Sequence, residues 1–182
     1  MKVLGFVLAL GVLLLSNCVH TTGSGQKLEG ILYQDRVFIE SILTSLKSMT
    51  GEFELEDCPL VHTEKEFTPT DVDGFRGDRA FFARLEDVMR RYPSVTHTVI
   101  STLIGSLDDM TPTKVTYCGK AVPLGVMCYK ALDGICYYEA MDKDGNIAAW
   151  EGTVFPGATE ADLKIAKKAW KKILKEKAYI ML

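Results

Sequence analysis

Cysteine and histidine are the residues of this sequence best suited to chemistry, since a thiolate can attack a substrate and an imidazole can transfer a proton. His62 follows Cys58 by four residues, and His97 lies between Val95 and Val99. Catalysis of the Cys–His type requires both groups side by side and a third group that orients the imidazole. No cysteine lies in a recognisable catalytic motif, so we expect the cysteines to form disulfides rather than to provide a nucleophile.

The spacing of possible ligands gives weak support to a metal site. Cys58 and His62 have no second pair of zinc ligands, and the chain contains no CxxC motif. Asp142, Asp144 and Asn146 resemble the opening of a calcium-binding loop, but the glycine stands at the fourth position and no glutamate follows at the twelfth. A hairpin turn over residues 142–146 accounts for the same pattern. The sequence therefore predicts no metal ion and no other cofactor.

Composition restricts the class of protein. The 182 residues are 47% hydrophobic and 25% charged, which is typical of a folded chain rather than a disordered one. Lys and Arg total 21 against 24 Asp and Glu, for a net charge of −3, and this balance does not favour nucleic-acid binding. P-loop, dinucleotide-binding and serine-nucleophile motifs are absent. We infer no small-molecule substrate, and the sequence favours a binding protein over an enzyme.

The N-terminus has the pattern of an export signal. Lys2 supplies a positive charge, and Val3 to Leu15 form a 13-residue apolar block interrupted only by Gly5 and Gly11. Such a block is shorter than the roughly 20 residues that span a bilayer, and it fits the apolar core of a secretory signal. We therefore interpret residues 1–17 as a signal peptide.

The end of this block resembles the lipobox of bacterial lipoproteins. The matching residues are Leu15-Ser16-Asn17-Cys18, with Asn17 in place of the usual Gly or Ala. The resemblance implies cleavage before Cys18 and acylation of its thiol, so that the protein is anchored to the membrane without spanning it. Val19 stands where inner-membrane lipoproteins commonly have Asp, which favours the outer membrane in a cell with two membranes. Ordinary cleavage near residues 22–24 is the alternative, and it would release a soluble protein.

The remaining cysteines fit an oxidising compartment. Residues 18–27 are polar and small, typical of a flexible tether. Beyond the tether four cysteines remain, an even number that predicts two disulfides among Cys58, Cys118, Cys128 and Cys136. Their spacing does not decide between the three possible pairings.

Helical periodicity predicts most of the folded part. We expect a helix over residues 28–49, a second that is capped by Asp78 and ends before Pro93, and a third that is capped by Ser94. Residues 123–132 form either a strand of a hairpin or a short helix, and Pro and Gly at the two ends favour the helix.

Strand patterns lie between the helices. They begin at Phe53 and continue at Lys114–Cys118, Ile135–Met141 and Ile147–Phe155, with a long loop over residues 59–77. The order of elements predicts a single α+β domain over residues 28–182, with N-terminal helices, a small antiparallel sheet and a C-terminal helix.

The C-terminal helix is strongly amphipathic. Thr159 and Asp162 resemble a capping box. One face is apolar and centres on Trp170, and we expect it to pack on the sheet. Lysines occupy the rest of the helix, at Lys164, Lys167, Lys168, Lys171, Lys172, Lys175 and Lys177. These lysines either contact anionic lipid headgroups or an acidic partner, or form a solvated face that offsets the acidic remainder of the chain.

Together these patterns favour a membrane-anchored, exported lipoprotein that binds a protein, in envelope assembly or in protection of a surface receptor. The first alternative is a periplasmic or secreted hydrolase whose site is not recognisable. The second is a soluble secreted effector or inhibitor, which would follow from loss of Cys18 with the signal.

Overall fold

The computed structural model describes residues 30–53, 75–141, 143–145 and 148–182. The signal, the tether, Cys58, His62, Asp142 and Asn146 lie outside these residues, and so do the predictions made for them. Within the described part the chain has five helices and six short strands. This arrangement confirms the α+β class.

The elements follow one another with short connections in most of the described chain. The helices are α1 (Tyr33–Ser48), α2 (Arg79–Arg91), α3 (Pro93–Gly105), α4 (Leu124–Asp133) and α5 (Glu160–Glu176). The strands are β1 (Thr50–Phe53), β2 (Phe75–Gly77), β3 (Pro112–Tyr117), β4 (Lys120–Pro123), β5 (Cys136–Tyr137) and β6 (Ile180–Met181).

Four strands form the main sheet, in the order β2-β1-β3-β4. The β1–β2 and β3–β4 pairs are antiparallel, whereas β1 and β3 are parallel, with Phe53 opposite Tyr117. The sheet is therefore mixed, not antiparallel throughout as the sequence suggested. A second sheet pairs β5 with β6, and β4 is an edge strand of the main sheet.

Helices α3 and α4 supply the centre of the core. Eight of the ten residues of α4 are buried, and the helix contacts α1, α3, β4 and β5. Pro123 lies at its start and Gly134 just past its end, as the favoured helical interpretation required. The apolar stripe of α3 is fully buried between α2, α4 and α5.

Helix α5 begins at a complete capping box, in which Thr159 and Asp162 each accept a hydrogen bond from the other's backbone N–H. The face centred on Trp170 is buried, as predicted, but it packs mainly on α3 rather than on the sheet. The indole Nε1 of Trp170 donates to the carbonyl oxygen of Gly152 at 2.9 Å, and its ring meets Trp150 edge-on at 4.9 Å. Burial of this indole and its hydrogen bond join α5 to the preceding irregular segment.

Two helix boundaries differ from the expectation, and one agrees with it. The first helix begins at Tyr33, after a turn at Gly30, whose φ is +87°. Asp78 caps α2 as predicted, with its side chain accepting from the N–H of Ala80. Pro93, however, is the first residue of α3 rather than a spacer before it, because proline lacks the N–H that a first helical turn leaves unpaired.

Fewer of the strand predictions than of the helix predictions are confirmed. The strand predicted over Lys114–Cys118 is confirmed as β3, which runs from Pro112 to Tyr117 and leaves Cys118 in the following turn. Strand β5 covers only Cys136–Tyr137 of the predicted 135–141 strand. Residues 148–155 contain no strand. In this irregular segment Trp150 packs against Trp170 of α5, and Val154 is buried in the core. Burial of alternate side chains does not itself require a ladder of backbone hydrogen bonds. Strands β2, β4 and β6 were not predicted.

Candidate functional site

The described residues do not assemble the Cys–His site that the sequence raised. His97 is exposed on α3, while Cys128 on α4 and Cys136 on β5 are both fully buried. Cys58 and His62 lie outside the described residues. The hydrolase alternative therefore stays a prediction.

Cys128 and Cys136, two of the four cysteines expected to form disulfides, carry free thiols in the structure. Burial raises the pKa of each thiol to about 12, with smaller contributions from the negative charges of Asp109 and Asp133 respectively. A thiol with such a high pKa stays protonated at neutral pH and is a poor nucleophile, because the thiolate is the reactive form. Cys118 is disulfide-bonded.

A buried carboxylate joins α1 to the α2–α3 corner. Asp35 is 1% exposed and accepts hydrogen bonds from the Arg91 guanidinium at 2.9 Å and the Tyr92 hydroxyl at 3.0 Å, with Arg84 at 3.8 Å. The Tyr92 oxygen in turn accepts from the backbone N–H of Leu32. These polar groups satisfy one another, so the cluster serves to fix the helices.

Metal coordination finds no support in the part of the chain that the structure describes. Those residues contain no group of three or more His, Cys, Asp or Glu side chains placed to hold an ion. In the proposed calcium loop the described residues 143–145 form a turn, and Gly145 has a φ of +82°. That geometry is a turn, without the two flanking strands that a hairpin requires among the described residues, and Asp142 and Asn146 lie outside them.

Two clefts that share lining residues form a concave surface to which several elements contribute. One has a volume of about 410 Å³ and the other about 380 Å³, and they share Tyr117, Gly157 and Ala158. We call the combined surface the β4 groove. Its other lining residues are Met110, Cys118, Lys120, Ala121, Val122, Pro123, Glu151, Thr153, Phe155, Pro156, Asp162 and Ile165.

A tight hairpin places one wall of the β4 groove. Cys118 and Gly119 are the two turn residues between β3 and β4, with φ values of +50° and +73°. Positive φ at both positions is the signature of a type I′ turn, which suits the right-handed twist of paired strands. The turn folds β4 back along β3 and leaves β4 at the sheet edge beside the groove.

The opposite wall is the segment that enters α5. Gly157 lies so close to Tyr117 that an added Cβ would stand 3.2 Å from the ring. The capping box at Thr159 then starts the helix and lowers the pKa of Asp162 through hydrogen bonds from the Thr159 side chain and backbone. One turn further on, Ile165 extends into the groove and is 50% exposed.

The β4 groove offers apolar side chains for contact, and its two clefts carry charges of opposite sign. Met110, Ala121 and Ile165 are exposed. Lys120 lines the part of the groove beside β4, and Glu151 and Asp162 line the part beside α5. Both clefts are open to solvent. This combination suits contact with another macromolecule better than enclosure of a small molecule, most of whose surface a ligand site usually buries.

Sequence reasoning did not find this groove. It singled out the α5 lysines and the cysteines, and of these only Cys118 lines the groove. The available signal was Gly119 directly after a strand, which marks a hairpin and so a fourth strand.

No family model, no curated protein and no solved structure matches this chain. Among the described residues, none of the helices is both long enough and apolar enough to cross a bilayer.

Proposed function

We propose that this chain is an exported lipoprotein, anchored to the membrane through acylated Cys18, that acts by binding a segment of a partner protein in the β4 groove. The pattern of residues 1–18 supports export and anchoring. A disulfide at Cys118 supports it further, since disulfides persist mainly in oxidising compartments.

The β4 groove is the observation that carries the binding role. It brings exposed apolar side chains together with a charged rim, the composition typical of protein-binding surfaces. Because the two clefts share Tyr117, Gly157 and Ala158, an occupant of both would have an extended course. That shape favours an extended segment over a compact ligand.

The charges define the segment further. Glu151 and Asp162 beside α5 would attract a basic side chain, and Lys120 beside β4 would attract an acidic one. Between them, Tyr117, Ala121 and Ile165 offer apolar contact. The expected occupant is an extended segment of a partner protein with a few apolar side chains flanked by charges of opposite sign.

Site-specific photo-crosslinking in intact cells tests this proposal. A photoreactive amino acid replaces Ala121 or Ile165 in the groove, and separately Ala80 or His97, which are exposed on α2 and α3. The groove positions should both yield one adduct of the same mass, and the control positions should not. Absence of an adduct from both groove positions, or the same adduct from all four, would overturn the proposal.

A charge reversal makes the test specific to the groove. Glu151→Lys should reduce the adduct from position 165 several-fold, because it removes the attraction for the basic side chain. The matched control is Glu40→Lys, which makes the same change of charge at an exposed position on α1. An equal loss with both variants would mean that overall charge, not the groove, governs the contact.

A further inference from the structure

The solvent-facing side of α5 is a continuous positive face. We call Lys164, Lys168, Lys171, Lys172 and Lys175 the lysine face, and all five are exposed. At 100° per residue they fall within an arc of about 100°, directly opposite the buried face that holds Leu163, Ala166, Trp170 and Ile173. With a rise of 1.5 Å per residue, the face is about 16 Å long.

Most of this charge is not neutralised by neighbouring acids. Lys164 pairs with Glu160 at 2.6 Å, and Lys167, outside the lysine face, pairs with Asp108. Lys168, Lys171, Lys172 and Lys175 form no ion pair with any described residue, although Lys171 also lowers the pKa of Asp108 slightly through its charge. Within the part of the chain that the structure describes, the face therefore presents four ammonium groups without an ion-pair partner.

The rest of the molecule has the opposite charge. Without the five lysines the chain has 16 basic residues against 24 acidic ones. A molecule with this asymmetry turns its lysine face toward an anionic surface and its acidic body away from it. Orientation by charge in this way acts within a Debye length, about 8 Å at physiological ionic strength.

The choice of residue also indicates the kind of surface. All the basic residues of α5 are Lys and none is Arg. Arg is favoured where a carboxylate must be held in one geometry, whereas Lys acts as a point charge on a flexible stem. A straight row of such charges on one side of a helix suits a plane of phosphates, in which no single partner position is required.

From these observations we propose that the lysine face docks on the anionic phospholipid surface of the membrane, and so sets the orientation of the anchored domain. The proposal rests on the proposed function, because a lipid anchor would keep α5 within reach of that surface and raise its effective concentration there. Docking would leave the β4 groove to its partner, since none of the five lysines lines it.

Vesicle binding of the mature chain, residues 18–182 with Cys18→Ser, tests the docking without the acyl anchor and without the apolar signal. Vesicles of phosphatidylcholine alone are compared with vesicles containing 30% phosphatidylglycerol. The variant Lys168→Gln/Lys171→Gln/Lys175→Gln should lose roughly 100-fold in affinity for the anionic vesicles, at about fivefold for each lysine near a charged surface. Glutamine has a helix propensity close to that of lysine, so α5 should remain folded.

The matched control changes three lysines elsewhere. Lys47, Lys114 and Lys143 are exposed on α1, on β3 and in the turn at 143–145. Their replacement by Gln removes the same charge and should leave vesicle binding within about threefold, since they lie off the lysine face. Lys168→Arg/Lys171→Arg/Lys175→Arg should bind as the parent does.

Three outcomes would overturn the lipid assignment. They are no preference for anionic vesicles, equal losses from the two glutamine variants, and tighter binding to soluble polyglutamate than to vesicles of matched charge. The last would identify an acidic protein surface as the partner. Because the vesicle assay does not involve the groove, its failure would leave the crosslinking test of the proposed function unaffected.

Discussion

Cys128 and Cys136 are thiols whose reactivity is controlled by burial. Both are fully buried, and burial raises the pKa of each to about 12. We expect neither to react with iodoacetamide in the native protein at pH 8, because the thiolate is the reactive form. In denaturant without reductant both should be labelled, and mass spectrometry of peptides should find Cys118 labelled only after reduction. Rapid labelling of Cys128 or Cys136 in the native state would contradict their placement.

Asp108 and Lys167 form the ion pair that ties α5 to the end of α3. The Lys167 ammonium lies 2.5 Å from Asp108 and also donates to the carbonyl oxygen of Gly105. A hydrogen bond from Lys167 lowers the pKa of Asp108 below its ordinary value of 3.8. A carboxyl whose pKa is lower in the folded state stabilises the fold above its unfolded pKa, and this stabilisation is lost as the pH falls through the folded value.

We therefore expect Asp108→Asn to cost about 1 kcal/mol of unfolding free energy at pH 7, since the pair is partly exposed. Urea unfolding of both proteins should show this difference shrinking toward zero as the pH falls below 3.8. In a Lys167→Met background the same substitution should show little dependence on pH, which completes a double-mutant cycle. A difference that grows at low pH would contradict the assignment.

Among the helices, the start of α4 depends on the absence of a side chain at Gly125. An added Cβ at Gly125 would lie 2.0 Å from the carbonyl oxygen of Leu107, and the N–H of Gly125 donates to the carbonyl of Asp109. Gly125→Ala should destabilise the protein by about 2–3 kcal/mol in thermal unfolding, because the backbone must move to make room.

In α3, by contrast, a Cβ at Gly105 would meet nothing within 4 Å. Gly105→Ala should therefore stabilise the protein by about 0.5 kcal/mol in thermal unfolding, because alanine favours a helix over glycine. If both variants lost stability, the difference in space around the two glycines would not explain the result.

The helices were predictable because their signals are local. Asp78, Thr159 and the Pro123–Gly134 pair mark helix ends within a few residues, and the buried stripe of α3 repeats along one face. The strands were less predictable. In β4 only Val122 is buried, so no alternation marks this strand, and in residues 148–155 alternation accompanies packing among helices instead of a ladder.

The candidate site could not be predicted, since it exists only after the chain has folded. Its two walls are β4 and the entry to α5, more than 30 residues apart, and they meet because Gly157 contacts Tyr117 while α5 packs on α3. None of its residues has a type that marks a site by itself. The lysine face could be predicted, because helical spacing alone places its five residues on one side.

For the whole molecule, the proposed attachment to the membrane combines a hydrophobic interaction with an electrostatic one. The acyl chains of Cys18 would bind through hydrophobic burial, at about 0.8 kcal/mol per CH₂, and salt does not weaken this term. The lysine face would bind through charge, which salt screens. Fractionation at low and high salt can therefore separate the two.

The anchor itself predicts the outcome of Cys18→Ser. This variant cannot be acylated, and because the sequence predicts a flexible tether over residues 18–27, its urea unfolding midpoint should match that of the wild type. The wild-type protein should stay with the membrane fraction in 0.5 M salt, whereas Cys18→Ser should be retained partly at low salt and released at high salt. Asn17→Gly is the matched control, since it brings the lipobox closer to its usual pattern and should preserve anchoring. A wild-type protein that is soluble and unacylated by mass spectrometry would contradict the anchor and favour cleavage near residues 22–24, and the β4 groove would then act in a secreted protein.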